Sequence, residues 1–413
     1  MAFFWVVGQV SKWTQNMLRF TASVTSPLVS VRFCATPSRR KTHNDLRLHS
    51  TGDKMERRSF LKKAAVGASI GAVAAPALAQ SQPTINWRLA SSFPKSLDTL
   101  FGTAEVFSKR VSALTGGKFN IRVFAGGEIV PALQVVDAVQ NGTVEMGHTA
   151  PYYYFGKDPT FAFDCAVPFG MNSRQQTAWF DQGGGRDLMR EFYKDYGIIN
   201  FLGGNTGAQM GGWFRKEIKT LDDIKGLKMR ISAFAGKVMA PLGLVPQQLA
   251  GADIYPALEK GTLDAVEWTT PYDDEKLGFY KVAPYYYAPG WWEAGAQLSF
   301  YVGIKEWEKL PKEYQMAFEA ASYEAHVTMQ AEYDAKNPAA LARLIKNGAK
   351  LRFFSKAIME ASYKAAVATM EEEASKNAKF KKIYEPYKRF QRDQNQWFSV
   401  AEGPLQNFMS AHK

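Results

Sequence analysis

The residues of this sequence that could do chemistry do not form a catalytic motif. A G-x-S-x-G pattern, typical of hydrolase nucleophiles, occurs once, at residues 67–71. It lies inside an apolar stretch with the features of an export signal, so we do not expect it to form a strand–turn–helix elbow. The three glycines at 183–185 precede a predicted helix. They lack the P-loop lysine and the spacing of a dinucleotide site, and therefore predict a helix-initiating turn.

Cysteine and histidine are equally sparse. The two cysteines, Cys34 and Cys165, cannot form a cysteine-ligated zinc site, and the five histidines include no i,i+4 pair. Cys165 lies among apolar neighbours, which predicts a buried, inert thiol. His148 stands near a predicted strand end, where a structural role is favoured over a general base. With neither nucleophile nor base identified, we predict that the chain is not an enzyme.

The positive charge belongs to the start of the chain. The formal net charge is +12 over 413 residues, but residues 1–79 hold twelve of the 51 basic and three of the 39 acidic side chains. The rest of the chain therefore carries a net charge of only about +3. Such a balanced surface lacks the basic stripe that tracks phosphates, so we expect no nucleic-acid partner.

Residues 55–79 have the three parts of an export signal. A basic start with Arg57 and Arg58 is followed by an apolar stretch at 64–75 and the triplet Ala-Leu-Ala at 77–79. The arginine pair resembles a twin-arginine translocation signal, which predicts a periplasmic protein exported by that route. Residues 1–54 show no sustained periodicity. Either translation begins at Met55, or residues 1–54 form a second targeting segment; in both cases the mature chain begins near Gln80.

The remainder alternates between strand and helix patterns. Period-2 or apolar runs predict strands at 84–90, 118–124, 144–149, 198–202, 227–231 and 265–269. Helical patterns occur at 98–114, 131–140, 186–196, from about 235, and at 257–260. From residue 312 onwards Ala, Glu, Lys and Met predominate, which predicts several long helices. This order favours two α/β lobes followed by a helical tail.

Three segments resemble a known family. Residues 145–159, 204–232 and 246–271 are similar to the substrate-binding proteins of TRAP transporters, the tripartite ATP-independent periplasmic family. The resemblance is strongest to the branch that binds 2-oxo acids such as pyruvate, or 2-hydroxy acids such as lactate, together with a metal ion. It implies an α/β, two-lobed periplasmic-binding-protein-like fold with strands crossing at the hinge and a long C-terminal helical tail. The implied division is lobe I at 84–205, lobe II at 206–295, and a return to both lobes with C-terminal helices at 296–413.

The resemblance also implies site residues. Arg230 matches the arginine that holds the ligand carboxylate, and a guanidinium fork suits this role because it forms two parallel charge-assisted hydrogen bonds. Gln209 matches a residue that contributes a side-chain oxygen to the cation and lies beside the substrate. Glu267 matches a carboxylate ligand of the cation, and Trp268 matches a backbone-carbonyl ligand. Oxygen ligands of this kind suit Na⁺ or Ca²⁺, which would also bridge Glu267 and the anionic ligand.

Aromatic residues have two possible roles in this interpretation. Trp213, Phe234 and Tyr153 are expected to line the pocket or to donate hydroxyl groups, but each of them is explained equally well by packing in the core. Three consecutive tyrosines, at 152–154, cannot all face one pocket, and Tyr153 is our choice among them.

The implied function is a receptor that captures a small 2-oxo acid with a metal ion and delivers it to the membrane permease subunits of a TRAP transporter. Alternatives are a receptor for a 2-hydroxy acid with Ca²⁺, a sensory binding protein, and a periplasmic enzyme acting on the same acids. The helical tail allows either a helix-swapped homodimer or a helix folded back on its own lobe; its apolar residues are Phe380, Tyr384, Tyr387, Phe390 and Trp397.

Overall fold

The structure is a computed structural model that describes residues 82–412. The predictions for residues 1–54 and for the export signal at 55–79 lie outside the described residues.

Two β-sheets organise this part of the chain. The strands of the first sheet are β1 (Ile85–Ser91), β2 (Phe119–Phe124), β3 (Met146–Thr149), β4 (Ile198–Asn205) and β10 (Gln297–Gly303). Their order in the sheet is β2-β1-β3-β10-β4. The strands β1, β2 and β3 are parallel, whereas β10 runs antiparallel to β3 and β4. All but one residue of β10 are buried.

The second sheet has six strands in the order β11-β9-β5-β8-β6-β7. They are β5 (Gly212–Phe214), β6 (Lys228–Arg230), β7 (Val245–Gln247), β8 (Ala265–Val266), β9 (Tyr285–Ala288) and β11 (Lys350–Phe353). The chain passes from the first sheet to the second after β4, returns between β9 and β10, and enters the second sheet again at β11. Short crossing segments therefore join two α/β lobes, as hinge motion requires.

Helices cover both sheets. They are α1 (Leu100–Leu114), α2 (Val135–Gln140), α3 (Ser173–Gln182), α4 (Gly185–Lys194), α5 (Ala233–Met239), α6 (Gly251–Glu259), α7 (Pro271–Leu277), α8 (Ile304–Lys309), α9 (Lys312–Lys346), α10 (Lys356–Lys376), α11 (Ala378–Ala401) and α12 (Gly403–Ala411). Helix α1 buries Leu100, Ala104, Phe107 and Val111, at the spacing of one helical face. The long α9 packs on α1 and β4 in one lobe and on α7 in the other. Among the described helices, none is long and apolar enough to cross a bilayer.

The tail folds back on its own chain through the first half of α11. Phe380, Tyr384 and Tyr387 are buried, and their rings contact Phe163. The Tyr387 hydroxyl accepts a hydrogen bond of 3.1 Å from the backbone N–H of Met171. Beyond this point α11 and α12 expose apolar side chains, which are Trp397, Val400, Leu405, Phe408 and Met409.

The fold prediction is confirmed: the chain is α/β with two sheets and a helical tail. Most predicted elements occur within a few residues of their expected bounds. Eight elements were not predicted, namely α3, α7, α8, β5, β7, β9, β10 and β11, and the last of these interrupts the tail that was predicted to be helical. Cys165 and His148 are both fully buried, in agreement with structural roles. His148 Nε2 lies 2.7 Å from the carbonyl oxygen of Gly203, and burial lowers the pKa of this imidazole to about 4.

Candidate acid and cation site

The site begins where two parallel strands of the second sheet end. Arg230 is the last residue of β6 and pairs with Val266 of β8, so Glu267 follows at the same sheet edge. The backbone N–H of Glu267 donates to the carbonyl oxygen of Arg230 over 2.9 Å. Because the carboxyl ends of parallel strands meet at one edge, two residues 37 positions apart become neighbours.

Arg230 and Glu267 form a buried ion pair. Arg230 Nη1 donates to the Glu267 carbonyl oxygen over 2.6 Å and to its Oε2 over 3.0 Å. Its Nε donates to the carbonyl oxygen of Leu249 over 3.3 Å, and the guanidinium carbon lies 4.8 Å from the centre of a Trp268 ring. The side chains of Arg230 and Glu267 are only 1% and 0% exposed. Burial opposes the charged guanidinium, but the neighbouring carboxylate and tyrosines outweigh it, so the pKa of Arg230 is raised.

A second buried carboxylate, Glu293, completes the charged cluster. Its Oε2 accepts a hydrogen bond of 3.2 Å from the Tyr152 hydroxyl. Burial raises the pKa of Glu293, and the neighbouring Ser232, Arg230, Tyr152 and Gln209 side chains partly offset this effect. Burial and the charge of Glu293 together raise the pKa of Glu267 well above its usual value. Two carboxylates thus share a single guanidinium away from water.

Several polar atoms of this cluster are buried and have no hydrogen-bond partner within the described residues 82–412. They include one oxygen each from Gln209, Glu267 and Glu293, together with the Trp268 indole N–H. The amide nitrogen of Gln209, by contrast, has a hydrogen-bond partner, because it donates to Thr206 Oγ1 over 3.0 Å. Buried polar atoms normally have partners, so these three oxygens indicate a group that the protein chain does not supply.

The three oxygens suit a hard cation. Carboxylate and amide oxygens are the ligands that Ca²⁺ and Na⁺ prefer, and a cation would compensate the excess negative charge of the pair. The backbone helps to place them, because the N–H of Gly290 donates to the Gln209 carbonyl over 3.0 Å. A Cβ atom at position 290 would lie 2.6 Å from that same oxygen, so this approach requires glycine.

Comparison with known proteins identifies the family. The family described as "Bacterial extracellular solute-binding protein, family 7" matches residues 90–377. A "Monocarboxylate 2-oxoacid-binding periplasmic protein" from Nostoc sp. is 49% identical over 363 residues, which cover 86% of this chain and 100% of that protein. The chain belongs to family 7 of the solute-binding proteins.

Solved structures of TRAP transporter solute-binding proteins have the same fold. A TRAP transporter solute-binding protein from Bordetella bronchiseptica is 54% identical to this chain and superposes with a TM-score of 0.79. The match covers 80% of this chain and 98% of the Bordetella chain. That structure is a dimer with calcium and picolinate bound. A TRAP periplasmic solute-binding protein from Pseudoalteromonas atlantica is 39% identical and superposes with a TM-score of 0.76. The match covers 78% of this chain and 99% of the Pseudoalteromonas chain, whose structure contains sodium and pyruvate.

In this family 7 protein the predicted polar residues lie together. Arg230 contacts Glu267 and Trp268, and Gln209 lies near Glu293. Their roles in binding the acid and the ion stay predictions.

Two of the predicted aromatic residues, Trp213 and Phe234, pack against other aromatic rings. Trp213 stacks on Tyr286 with ring centres 3.8 Å apart, and its indole N–H donates to Asp274 over 3.0 Å. Phe234 packs against Phe155, with ring centres 4.9 Å apart, on the α5 side. Whether either side chain also lines the ligand pocket stays a prediction.

The tyrosines at 152–154 divide their roles. Tyr152 is the one whose hydroxyl contacts the carboxylate cluster. The Tyr154 hydroxyl lies 3.2 Å from Thr149 Oγ1, inside the first lobe. Tyr153 is half-buried, and its backbone carbonyl accepts a hydrogen bond of 3.0 Å from Gln248 Nε2, which joins the two lobes beside the site.

Sequence reasoning missed Glu293. A signal was present, because Glu293 is the only charged residue between Lys281 and Lys305, in a run rich in aromatic residues. An isolated acidic residue in such a run is expected to be buried, and a buried carboxylate needs a partner.

Proposed function

We propose that this protein is the extracytoplasmic receptor of a TRAP transporter and captures a small, pyruvate-like 2-oxo acid together with Na⁺ or Ca²⁺. The observation that carries the proposal is the buried cluster of one guanidinium and two carboxylates with three unpartnered oxygens. Related proteins that bind 2-oxo acids, or pyruvate with sodium, support the ligand class. A 2-hydroxy acid such as lactate, bound with Ca²⁺, is the alternative ligand.

The charges explain why an ion is needed. Arg230, Glu267 and Glu293 sum to one negative charge when all are ionised, so a carboxylate ligand alone would meet repulsion in a site of low dielectric constant. Gln209, Glu267, Glu293 and the backbone carbonyl of Trp268 would hold the cation. When bound, the ion supplies positive charge that attracts the ligand's oxygens, while Arg230 fixes the ligand carboxylate. Closure of the lobes around both would present the loaded receptor to the permease subunits.

The deciding experiment is calorimetric titration of the metal-stripped protein with pyruvate and with lactate, each with and without Na⁺ or Ca²⁺. We expect micromolar or tighter binding of pyruvate that requires one of the ions. Binding that is indifferent to metal would contradict the cation role, and binding of neither acid would contradict the ligand class. Recovery of chemically unchanged pyruvate from the complex would distinguish a receptor from an enzyme.

A matched pair of variants tests the carboxylate clamp. Arg230→Ala is expected to weaken pyruvate binding by about 100-fold or more, because two charge-assisted hydrogen bonds are lost. Arg352→Ala removes a half-buried arginine that pairs with Glu217 in the second sheet, and should leave binding unchanged. Undiminished affinity in Arg230→Ala would show that the clamp is misassigned.

We further propose that residues 55–79 direct export by the twin-arginine route. Replacing Arg57 and Arg58 by lysines should leave the precursor in the cytoplasm. Export unaffected by that replacement would exclude the twin-arginine route.

We also propose that the mature receptor forms a dimer through its C-terminal helices. The apolar side chains exposed on α11 and α12 support this proposal, since exposed apolar patches mark interfaces.

A further inference from the structure

Three consecutive backbone carbonyls at 267–269 differ in the groups that donate to them. The Glu267 carbonyl oxygen accepts from Arg230 Nη1 over 2.6 Å. The Thr269 carbonyl oxygen accepts from the backbone N–H of Met210 over 2.9 Å. The Trp268 carbonyl oxygen between them accepts no hydrogen bond from the described residues 82–412, although Trp268 is only 3% exposed. Because buried carbonyl groups normally have a partner, this oxygen fits the role of a cation ligand.

The direction of this carbonyl depends on the N–H group of the same peptide unit. The peptide bond between Trp268 and Thr269 is trans, and in a planar trans unit the C=O and N–H bonds point in opposite directions. The N–H of this unit belongs to Thr269, and it donates to Asp274 Oδ1 in a long hydrogen bond of 3.4 Å. Holding the N–H against α7 therefore fixes the direction in which the Trp268 carbonyl oxygen points.

Asp274 is itself held by the second sheet. Its Oδ2 accepts hydrogen bonds from the Tyr286 hydroxyl over 2.7 Å and from the Trp213 indole N–H over 3.0 Å. Tyr286 of β9 and Trp213 of β5 are paired across these strands, and their rings stack with centres 3.8 Å apart. Asp274 is only 1% exposed, so water does not compete for its oxygens. One carboxylate oxygen therefore binds the sheet, and the other binds the peptide unit at 268–269.

We infer that Asp274 is a positioning residue for the cation: it fixes the peptide unit between Trp268 and Thr269 so that the Trp268 carbonyl oxygen can bind the ion. The inference rests on the proposed function, because it presumes that this carbonyl is one of the ion's ligands. A carboxylate that accepts from the N–H also polarises the peptide group, which makes its carbonyl oxygen a stronger ligand. Asp274 therefore acts on the ion, whereas Arg230 acts on the carboxylate of the acid.

The test measures the concentration of Na⁺ or Ca²⁺ at which pyruvate binding is half-maximal, by calorimetric titration of the mature protein at pH 9. Burial raises the pKa of Asp274 to about 7, so its carboxylate is ionised at that pH. Asp274→Asn is expected to raise this ion concentration by about tenfold or more, because groups behind metal ligands influence metal affinity to that extent. Saturating ion should restore the affinity for pyruvate. An unchanged ion requirement would overturn the inference, and so would a loss of affinity that saturating ion does not restore.

Tyr286→Phe separates the effect of position from the effect of charge. The substitution keeps the ring and the carboxylate but removes the hydrogen bond that holds Asp274 Oδ2. If Asp274 acts by position, the ion requirement should rise by about threefold or more. Unchanged or tighter ion binding would show that only the charge of Asp274 matters, and would overturn the inference. This variant leaves the buried carboxylate in place, so it carries the test if Asp274→Asn does not fold.

Asp273→Asn is the matched control. Asp273 is the preceding residue of α7 and is equally buried. Its carboxylate accepts from the hydroxyl groups of Thr99, Tyr333 and Thr269 rather than from the N–H of Thr269. We expect this substitution to leave the ion requirement unchanged, and an equal rise in Asp273→Asn and Asp274→Asn would overturn the inference. Pyruvate binding by the unmodified protein that needs no ion would instead overturn the proposed function itself.

Discussion

In the proposed site, individual charges are expected to set the ion preference. With both carboxylates ionised, an anionic ligand and Arg230 leave two negative charges, which Ca²⁺ balances and Na⁺ does not. With one carboxylate protonated, Na⁺ is sufficient. The pKa values of Glu267 and Glu293 are both raised, primarily by burial, so protons compete with the metal for these oxygens. We therefore expect the choice between the ions to be coupled to the protonation of these two side chains.

Glu293→Gln is predicted to shift the preference from Ca²⁺ towards Na⁺. The amide keeps an oxygen for the cation but removes one negative charge, which leaves a site that a monovalent ion neutralises. We expect Ca²⁺-dependent pyruvate binding to weaken by about tenfold or more, and Na⁺-dependent binding to change by a smaller factor. Titrations with pyruvate at fixed concentrations of each ion measure this. Glu373→Gln alters another buried glutamate, paired with Lys237 away from the site, and should change neither. Equal losses with both ions in Glu293→Gln would refute the charge argument.

At the scale of elements, α7 ties the site to the first lobe. It begins three residues after Trp268, and its Asp273 Oδ1 lies 2.8 Å from the hydroxyl of Thr99, which precedes α1. The Tyr333 hydroxyl of α9 donates to Asp273 Oδ2 over 2.5 Å. Thr99 does not cap α1 with its side chain, because the hydroxyl is used in this contact between elements.

Thr99→Val is predicted to lower the free energy of unfolding by about 1–3 kcal/mol. The substitution keeps the shape but removes a hydrogen bond to a buried carboxylate, which is left with fewer donors. Denaturant unfolding monitored by circular dichroism measures the change. Thr103→Val, which removes only a hydroxyl bonded to the carbonyl oxygen of Thr99, is the control and should cost less. Equal effects of the two substitutions would contradict a special role for the contact with Asp273.

The raised pKa of Asp274, the next residue of α7, predicts that the stability of the fold depends on pH. Burial raises its pKa to about 7, although Tyr286 and Trp213 donate to it. The folded state therefore holds a proton that the unfolded state releases above its ordinary pKa near 4. This contribution to stability is fully present below about pH 4 and is lost as the pH rises towards 7.

Asp274→Asn should remove that dependence. We expect the difference in unfolding free energy, variant minus unmodified protein, to rise between pH 4 and 7 by a few kcal/mol, since one pKa unit corresponds to about 1.4 kcal/mol. Urea unfolding at several pH values provides the measurement. A difference that stays constant over this range would show that Asp274 ionises normally.

At the scale of the whole molecule, the exposed tail predicts assembly. Leu405, Phe408 and Met409 of α12 are each more than half exposed. If they pair with a second copy, Phe408→Ala should raise the dimer dissociation constant by about tenfold or more, measured by analytical ultracentrifugation. Phe353→Ala removes a side chain that is 71% exposed on β11 and should leave association unchanged. A protein that is monomeric at micromolar concentration before any substitution would rule out the dimer.

Local patterns in the sequence were sufficient for the class of fold and for most of its elements. The alternation in β1 and the helical spacing in α1 predict both elements, because each buries one face against a neighbour. Helix α3 carried a readable signal that was not used: Asn172 and Gln175 form a reciprocal capping box. The strand β10 is buried on both faces and lacks alternation, so a continuous apolar run did not distinguish it from a helix.

The site needed the tertiary structure. The motif that carries Arg230, Glu267 and Trp268 could be identified from the sequence, because these residues follow strand ends in a family pattern. Glu293 lies 26 residues beyond Glu267, on the segment that returns to the first lobe, and no local periodicity links them. Packing likewise decided that the Tyr152 hydroxyl donates to Glu293, while the role of Tyr153 in binding the ligand stays a prediction. Sequence patterns report which face of an element is buried, whereas the partners of a buried polar atom depend on how distant elements meet.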